Sequence, residues 1–227
     1  MARKTYRILS TLIAIGIGVI IILFLSYLGK KSKGPLEDIV TDAGEAVQKV
    51  EKNIIMDQRE EKRADKLKWF APYKTDSALL RQPEKILLGA FDNENKESFE
   101  SSINLEDTLG TIFPLMHFYT AWGSKPDEQF PELQVKTILE MGSLPVITWE
   151  PWLTDFDSEK MPGLSSADKR DVGGMSDVAK GKYDSYLKTW AREAASIDQP
   201  IFLRLGHEMN DPYRYPWGPQ NNSAKDF

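Results

Sequence analysis

Residues 86–95 read ILLGAFDNEN, a short and mostly apolar run followed by four polar residues. Such a run suits a strand covered on both faces, as in parallel sheets flanked by helices. A dinucleotide-binding sheet would follow its opening strand with Gly-x-Gly-x-x-Gly, whose backbone cradles a pyrophosphate. Asp92, Asn93, Glu94 and Asn95 occupy that place here, so the phosphate cradle is missing.

Moving outward, three further runs read as strands: 113–120 (FPLMHFYT), 145–149 (PVITW) and 201–205 (IFLRL). Helices are expected between them over 97–109, stopped by Gly110, and over 126–141, opened by Pro126 and stopped by Gly142. A third helix carries Tyr183, Tyr186, Leu187, Trp190, Ala191 and Ala194 at i, i+3, i+4, i+7, i+8 and i+11, an apolar stripe for core packing. The polar, glycine-containing stretch 153–182 reads as a surface loop. Alternating β and α elements demand parallel strands, in an open doubly wound sheet or a (β/α)8 barrel. The strand ends favour the barrel. Phe91 and Asp92 follow the first strand, Trp122 the second, Trp149, Glu150 and Trp152 the third, and His207, Glu208 and Asn210 the fourth. In a TIM barrel these converge on one rim, where its active sites are built. The expected fold class is therefore α/β, with about the first four βα units of a (β/α)8 barrel.

Composition removes other classes. The 227 residues contain no cysteine, which excludes disulfides, thiolate metal sites and a cysteine nucleophile. His117 and His207 are the two histidines, so a histidine-rich metal centre is not expected, no cofactor is implied, and acid/base chemistry falls mainly to Asp and Glu. A formal net charge of -5 gives no electrostatic reason for a nucleic-acid partner.

The N-terminus departs from this average. Residues 8–28 (ILSTLIAIGIGVIIILFLSYL) carry no charge and are long enough to cross a bilayer, longer than the apolar core of a cleaved signal. Residues 1–29 are thus expected to be a membrane anchor. Leu36, Val40, Ala43, Val47, Val50 and Ile54 then recur in heptad steps within a charged stretch. The seam spans under three heptads, which favours a spacer helix over a dimerising coiled coil and leaves a dimer through the seam open. The spacer is expected over 30–83 and the catalytic barrel over 84–227.

Aromatic faces stack on the C–H faces of sugars, and carboxylates and amides bind hydroxyls and move protons. Trp122 and Trp152 are candidates for stacking, the alternative being that they cap the core. In the segment 204–210, strand alternation places Phe202, Arg204, Gly206 and Glu208 on one face and Leu203, Leu205 and His207 on the other. An arginine in an otherwise apolar strand calls for a carboxylate partner near the barrel axis.

RLGHEMN at 204–210 followed by YPWG at 215–218, with GAFD at 89–92, YTAWGS at 119–124 and ITWEPW at 147–152, resembles glycoside hydrolase family 26, the mannanase-like retaining β-glycanases. The resemblance covers about residues 86–227. It implies a (β/α)8 barrel with Glu208 as general acid/base at the end of the fourth strand. His207 and Trp217 would line the subsite of the cleaved sugar, and Arg204 would pair with the nucleophile. Trp122, Trp149, Glu150, Trp152 and Asn210 complete the expected substrate-binding set. The family's nucleophile is a glutamate near the end of a seventh strand, expected beyond Phe227, so the fragment alone is expected to be inactive. The stretch from Asp211 to Arg214 departs from the family pattern. The implied partner is a polysaccharide (β-mannan, β-glucan or exopolysaccharide). The alternative is a membrane-anchored carbohydrate-binding protein without catalysis.

Polymeric glycans are met outside the membrane, so the N-terminus is expected in the cytoplasm and residues 29–227 outside it. Protease added to intact cells should digest the globular part; full protection would overturn this orientation.

Overall fold

The structure is a computed structural model that describes residues 17, 63, 65–91 and 99–227. The chain forms two compact units, Met1–Ile55 and Met56–Phe227, and the sheet lies wholly in the second. The heptad seam and Asp92 lie outside the described residues, as does the 8–28 run apart from Ile17. Among the described residues no helix is long and apolar enough to cross a membrane.

The sheet is parallel, four-stranded and ordered β1-β2-β3-β4: Gly89–Phe91, Leu115–Ala121, Leu144–Glu150 and Phe202–Leu205. Chain order equals spatial order, without the reversal that creates the switch point of doubly wound sheets. The fold is α/β, and this sheet is compatible with part of a (β/α)8 barrel.

Among the described residues the α-helices that accompany it are α1 (Ser77–Arg81), α2 (Glu100–Leu109), α3 (Glu132–Glu140), α4 (Gly174–Ala179) and α5 (Asp184–Ser196). Gly110 closes α2 at φ +64°, the left-handed cap that glycine adopts without steric cost. The helix expected over 126–141 is two pieces, a 3-10 turn at Pro126–Glu128 and then α3. Pro131 causes the break, because a proline disfavours helical geometry in the residue before it.

The register sorts the sheet into two faces. Met116, Phe118, Ile147 and Trp149 point to the helical side, and all four are buried. Trp190 of α5 stacks on Trp149 with ring centres 4.3 Å apart, and Phe99 at the start of α2 meets Phe118 edge-on. On the outermost strand, Leu203 and Leu205 belong to this face but are exposed; among the described residues no helix follows β4 to cover them.

The other face is polar toward its upper end. It carries Phe91, His117, Tyr119, Thr148, Glu150 and Arg204. Arg204 Nε donates to Thr148 Oγ1 at 3.0 Å, and Thr148 Oγ1 lies 2.6 Å from His117 Nε2. Arg204 can only donate, so the threonine oxygen accepts from it. Burial, reinforced by the charges of Arg204 and His207, pulls the His117 imidazole down to about 4.

The lower end of this face is closed by a segment expected in the spacer. Leu67, Phe70 and Tyr73 form a buried cluster with Leu144, and Leu87, Leu115 and Phe202 pack against it, all at or near strand starts. Phe70 and Tyr73 lie in the 3-10 stretch Lys68–Lys74, with stacked rings 5.5 Å apart. Arg63 adds a buried ion pair to Glu106 of α2, at 2.7 Å, and donates to the carbonyl of Met141. The packed unit therefore begins well before residue 84. Its aromatic residues supply the apolar area that the strand starts bury.

The loop expected at 153–182 is partly ordered by one cation. Arg170, 3% exposed, donates to the carbonyls of Ser165 and Phe156 and to Ser158 Oγ, drawing the segment around itself.

Two predictions follow from these contacts. A Cβ at Gly123 would come within 2.0 Å of Glu128 Oε2, and that carboxylate is buried and held by the Lys125 amide and ammonium. Gly123→Ala should cost about 1–3 kcal/mol of stability, as overpacking does, measured by denaturant titration. The second concerns pH. His117 is neutral in the folded state down to about 4, whereas an unfolded imidazole takes its proton near 6.5. Its contribution to stability is complete above 6.5 and is lost as pH falls toward 4. The His117 ring signals should titrate near 4 by NMR, and His117→Gln should lose less stability than the parent between pH 7 and 4.5.

Candidate active site

Backbone geometry after β4 builds the site. Gly206 N donates to Trp149 O at 3.1 Å as the last rung of the ladder, and then adopts φ +51°. Left-handed geometry ends the strand's alternation. His207 therefore turns to the inner face, opposite to the side that alternation predicts, and its ring meets Tyr119 edge-on at 5.2 Å. Its Nδ1 lies 3.4 Å from Glu150 Oε1, a close approach outside hydrogen-bond geometry. Glu208 follows at φ +49°, a strained conformation for a residue with a side chain. Its side chain is 52% exposed and pairs with Arg214 Nη1 at 3.2 Å.

Trp217 holds this turn in place. Its indole N–H donates to His207 O at 2.8 Å, and its ring lies against Gly206, where a Cβ would sit 3.2 Å from Cδ1. Both the positive φ and the close ring demand glycine at position 206. At 1% exposure Trp217 supports the site from behind instead of presenting a face to it. Its ring stacks on Tyr215, centres 4.8 Å apart at 14°, and meets Trp152 edge-on at 5.1 Å. Tyr215 also touches His207, with centres 4.5 Å apart, so the half-buried aromatics at the rim are Trp152 and Tyr215. Trp152 Nε1 donates to Glu150 Oε2 at 3.2 Å.

Of the expected residues, Glu150, Trp152, His207, Glu208 and Trp217 come together at the C-terminal ends of β3 and β4. Trp122 and Trp149 do not join them. Both are buried and form a cluster with Tyr186, whose hydroxyl donates to Glu128 O, so they cap and fill the core. Asn210 is exposed in the loop after β4. Among the described residues Arg204 has no carboxylate partner; it binds Thr148 and donates to Tyr119 Oη at 3.2 Å.

Three contributors were not singled out from sequence. Tyr215 lay inside the quoted YPWG, and its place beside a tryptophan was the available signal. Thr148 was marked only by its register opposite Arg204. Arg214 sits in the stretch 211–214, where the sequence resemblance breaks off. There Asp211 Oδ1 accepts from the amides of Tyr213 and Arg214, which lowers the Asp211 pKa and fixes the turn that delivers Arg214 to Glu208.

The wall beside Trp217 is shared with the 153–182 segment. Gly173 N donates to Asn221 O and Met175 N to Asn222 Oδ1, while Asn222 Nδ2 donates back to Pro216 O. Among the described residues no group of three or more His, Asp or Glu side chains is placed to hold a metal ion.

No family model matches the chain. Over 119 residues, 52% of its length, it is 25% identical to Endoglucanase H of Acetivibrio thermocellus, and the matched stretch covers 11% of that protein.

Proposed function

We propose that this chain carries the acid/base half of a membrane-tethered glycoside hydrolase that cleaves β-glycosidic bonds of a polysaccharide with retention, in the manner of family 26. The observation that carries the reading is the cluster at the ends of β3 and β4. An exposed glutamate, Glu208, sits on a strained turn directly after His207, which contacts Glu150 and the half-buried ring of Tyr215, and Tyr215 in turn meets Trp152 edge-on. Its similarity to an endoglucanase supports a glycan as substrate, and the singly wound order of the sheet supports a barrel scaffold.

In this reading the sugar stacks against Trp152 and Tyr215, and Glu208 protonates the departing glycosidic oxygen. A second carboxylate about 5–5.5 Å away attacks the anomeric carbon, as retaining enzymes require. Glu208 then takes a proton from the water that releases the glycosyl-enzyme. Glu150 is held by Trp152 and His207, which suits it to binding sugar hydroxyls or fixing His207. In the family that the sequence resembles, the attacking carboxylate is a glutamate near the end of a seventh strand. Residues 8–28 would hold the enzyme at the membrane, with the barrel outside.

The Glu208–Arg214 pair favours one other reading, binding without hydrolysis, since it engages the group that would act as acid. Replacing Glu208 with Gln separates the two. In the full-length enzyme, Glu208→Gln should lower turnover of a natural polymer about 10²–10⁴-fold, the usual worth of a positioned proton donor. An aryl glycoside with a very good leaving group needs little protonation and should lose much less in its glycosylation step. Equal, minor losses on both would remove Glu208 from the chemistry, and oligosaccharide binding with no turnover in the parent would leave the binding reading.

A further inference from the structure

Charge is unevenly divided along the chain. Residues 89–227 carry 13 basic and 23 acidic side chains, while residues 65–88 carry five basic (Lys66, Lys68, Lys74, Arg81, Lys85) and three acidic (Asp65, Asp76, Glu84). The basic stretch also carries exposed large apolar side chains, though others stand in water elsewhere, among them Val172 and Leu109. Ile86 is 86% exposed, Leu88 51% and Trp69 36%. Lys85 Nζ lies 5.1 Å above the Trp69 ring, so the two ends of the stretch meet in one surface patch. Lys66, Lys68 and Arg81 are exposed as well, Lys68 in a surface pair with Asp65.

The patch has a defined place in the fold. Trp69 packs edge-on against Phe70 and Tyr73, which close the sheet at the strand starts, and Lys85 and Ile86 lie just before β1. Glu150, His207 and Glu208 stand at the opposite ends of the strands. Along the seven residues of β3 that is a separation of about 20 Å at ~3.3 Å per residue.

We propose that this face is a membrane-docking surface, its partner a bilayer containing anionic phospholipid. The proposal rests on the reading that residues 8–28 cross a membrane, which holds the domain near lipid. A tryptophan and an isoleucine flanked by lysines and an arginine are the side chains that interfaces select: the rings and aliphatic groups enter the headgroup region and the cations meet lipid phosphates. Each basic residue near an anionic surface is worth about fivefold in partitioning, and the acidic character of residues 89–227 turns the rest of the domain away. Docking by this end points the strand C-terminal ends, and so the candidate site, toward the aqueous phase where a polymer can reach it.

The chain has no cysteine, so single labels can be placed without background. Ile86→Cys and Tyr213→Cys of the full chain would carry a bimane, Tyr213 being 88% exposed near Glu208. Both would be reconstituted in vesicles containing a doxyl-labelled lipid quencher, with or without phosphatidylglycerol. The label at 86 is expected to be quenched at least about twofold more than that at 213 on anionic vesicles. The difference should shrink on phosphatidylcholine alone, in high salt, which screens surface charge, and in a Lys68→Gln/Lys85→Gln background. Equal quenching at the two positions, or quenching at 86 indifferent to lipid charge, overturns the proposal. Vesicles that carry the chain with neither label quenched overturn docking alone; a chain that stays off the vesicles overturns the membrane-spanning reading with it.

Discussion

Everything at the candidate site depends on the missing side chain of Gly206. A Cβ there would meet the Trp217 ring at 3.2 Å and would have to accept a φ of +51°. With glycine in place, the tryptophan lies flat against the backbone and its N–H takes the carbonyl of His207. That single contact ties the 215–218 loop to the end of β4 and orients the residues that follow. His207 is sent inward to Glu150 and Tyr119, and Glu208 pairs with Arg214. Tyr215 is placed by its stacking on the same tryptophan.

Strand-level features were legible because they rest on composition and period. The apolar runs near residues 86, 113, 145 and 201 all became parallel strands, and the α5 stripe delivered Tyr183, Tyr186 and Trp190 to the core. What periodicity could not convey was the point where alternation stops. Two-residue alternation assigned His207 to the wrong side, because a left-handed glycine between it and the strand reverses the direction of its side chain. The helix over 126–141 failed for a similar local reason, a proline inside an otherwise helical pattern.

The tryptophans show why residue type alone underdetermines a role. Trp122, Trp149, Trp152 and Trp217 all lie near strand ends and look equally suited to stacking on sugars. Their fates divide by face. Trp149 falls on the helical side and is matched there by Trp190, a partner 41 positions away that strand spacing could not reveal. Trp122, one residue past β2, is drawn into the same cluster. Trp152 lies beyond the last rung of β3 and is free to turn to the rim. Trp217 is buried for a fourth reason, the need to cover Gly206.

The two rim glutamates sit in different surroundings, and that difference suits different work. Glu150 is mostly enclosed, with Trp152 on one oxygen and His207 beside the other. Such a group is positioned before any ligand arrives and loses little freedom on binding one. Glu208 and Arg214 are both more than half exposed, where water screens their attraction and side-chain entropy opposes it. Such a pair is weak and can give way to another hydrogen-bonding group. The strained backbone of Glu208 points the same way. A left-handed residue that is not glycine persists only where its surroundings hold it, and here the Trp217–His207 bond on one side and the Asp211 turn on the other do so. The fold thus holds the backbone of Glu208 while leaving its carboxylate half-exposed, a combination that suits the acid/base role proposed for it.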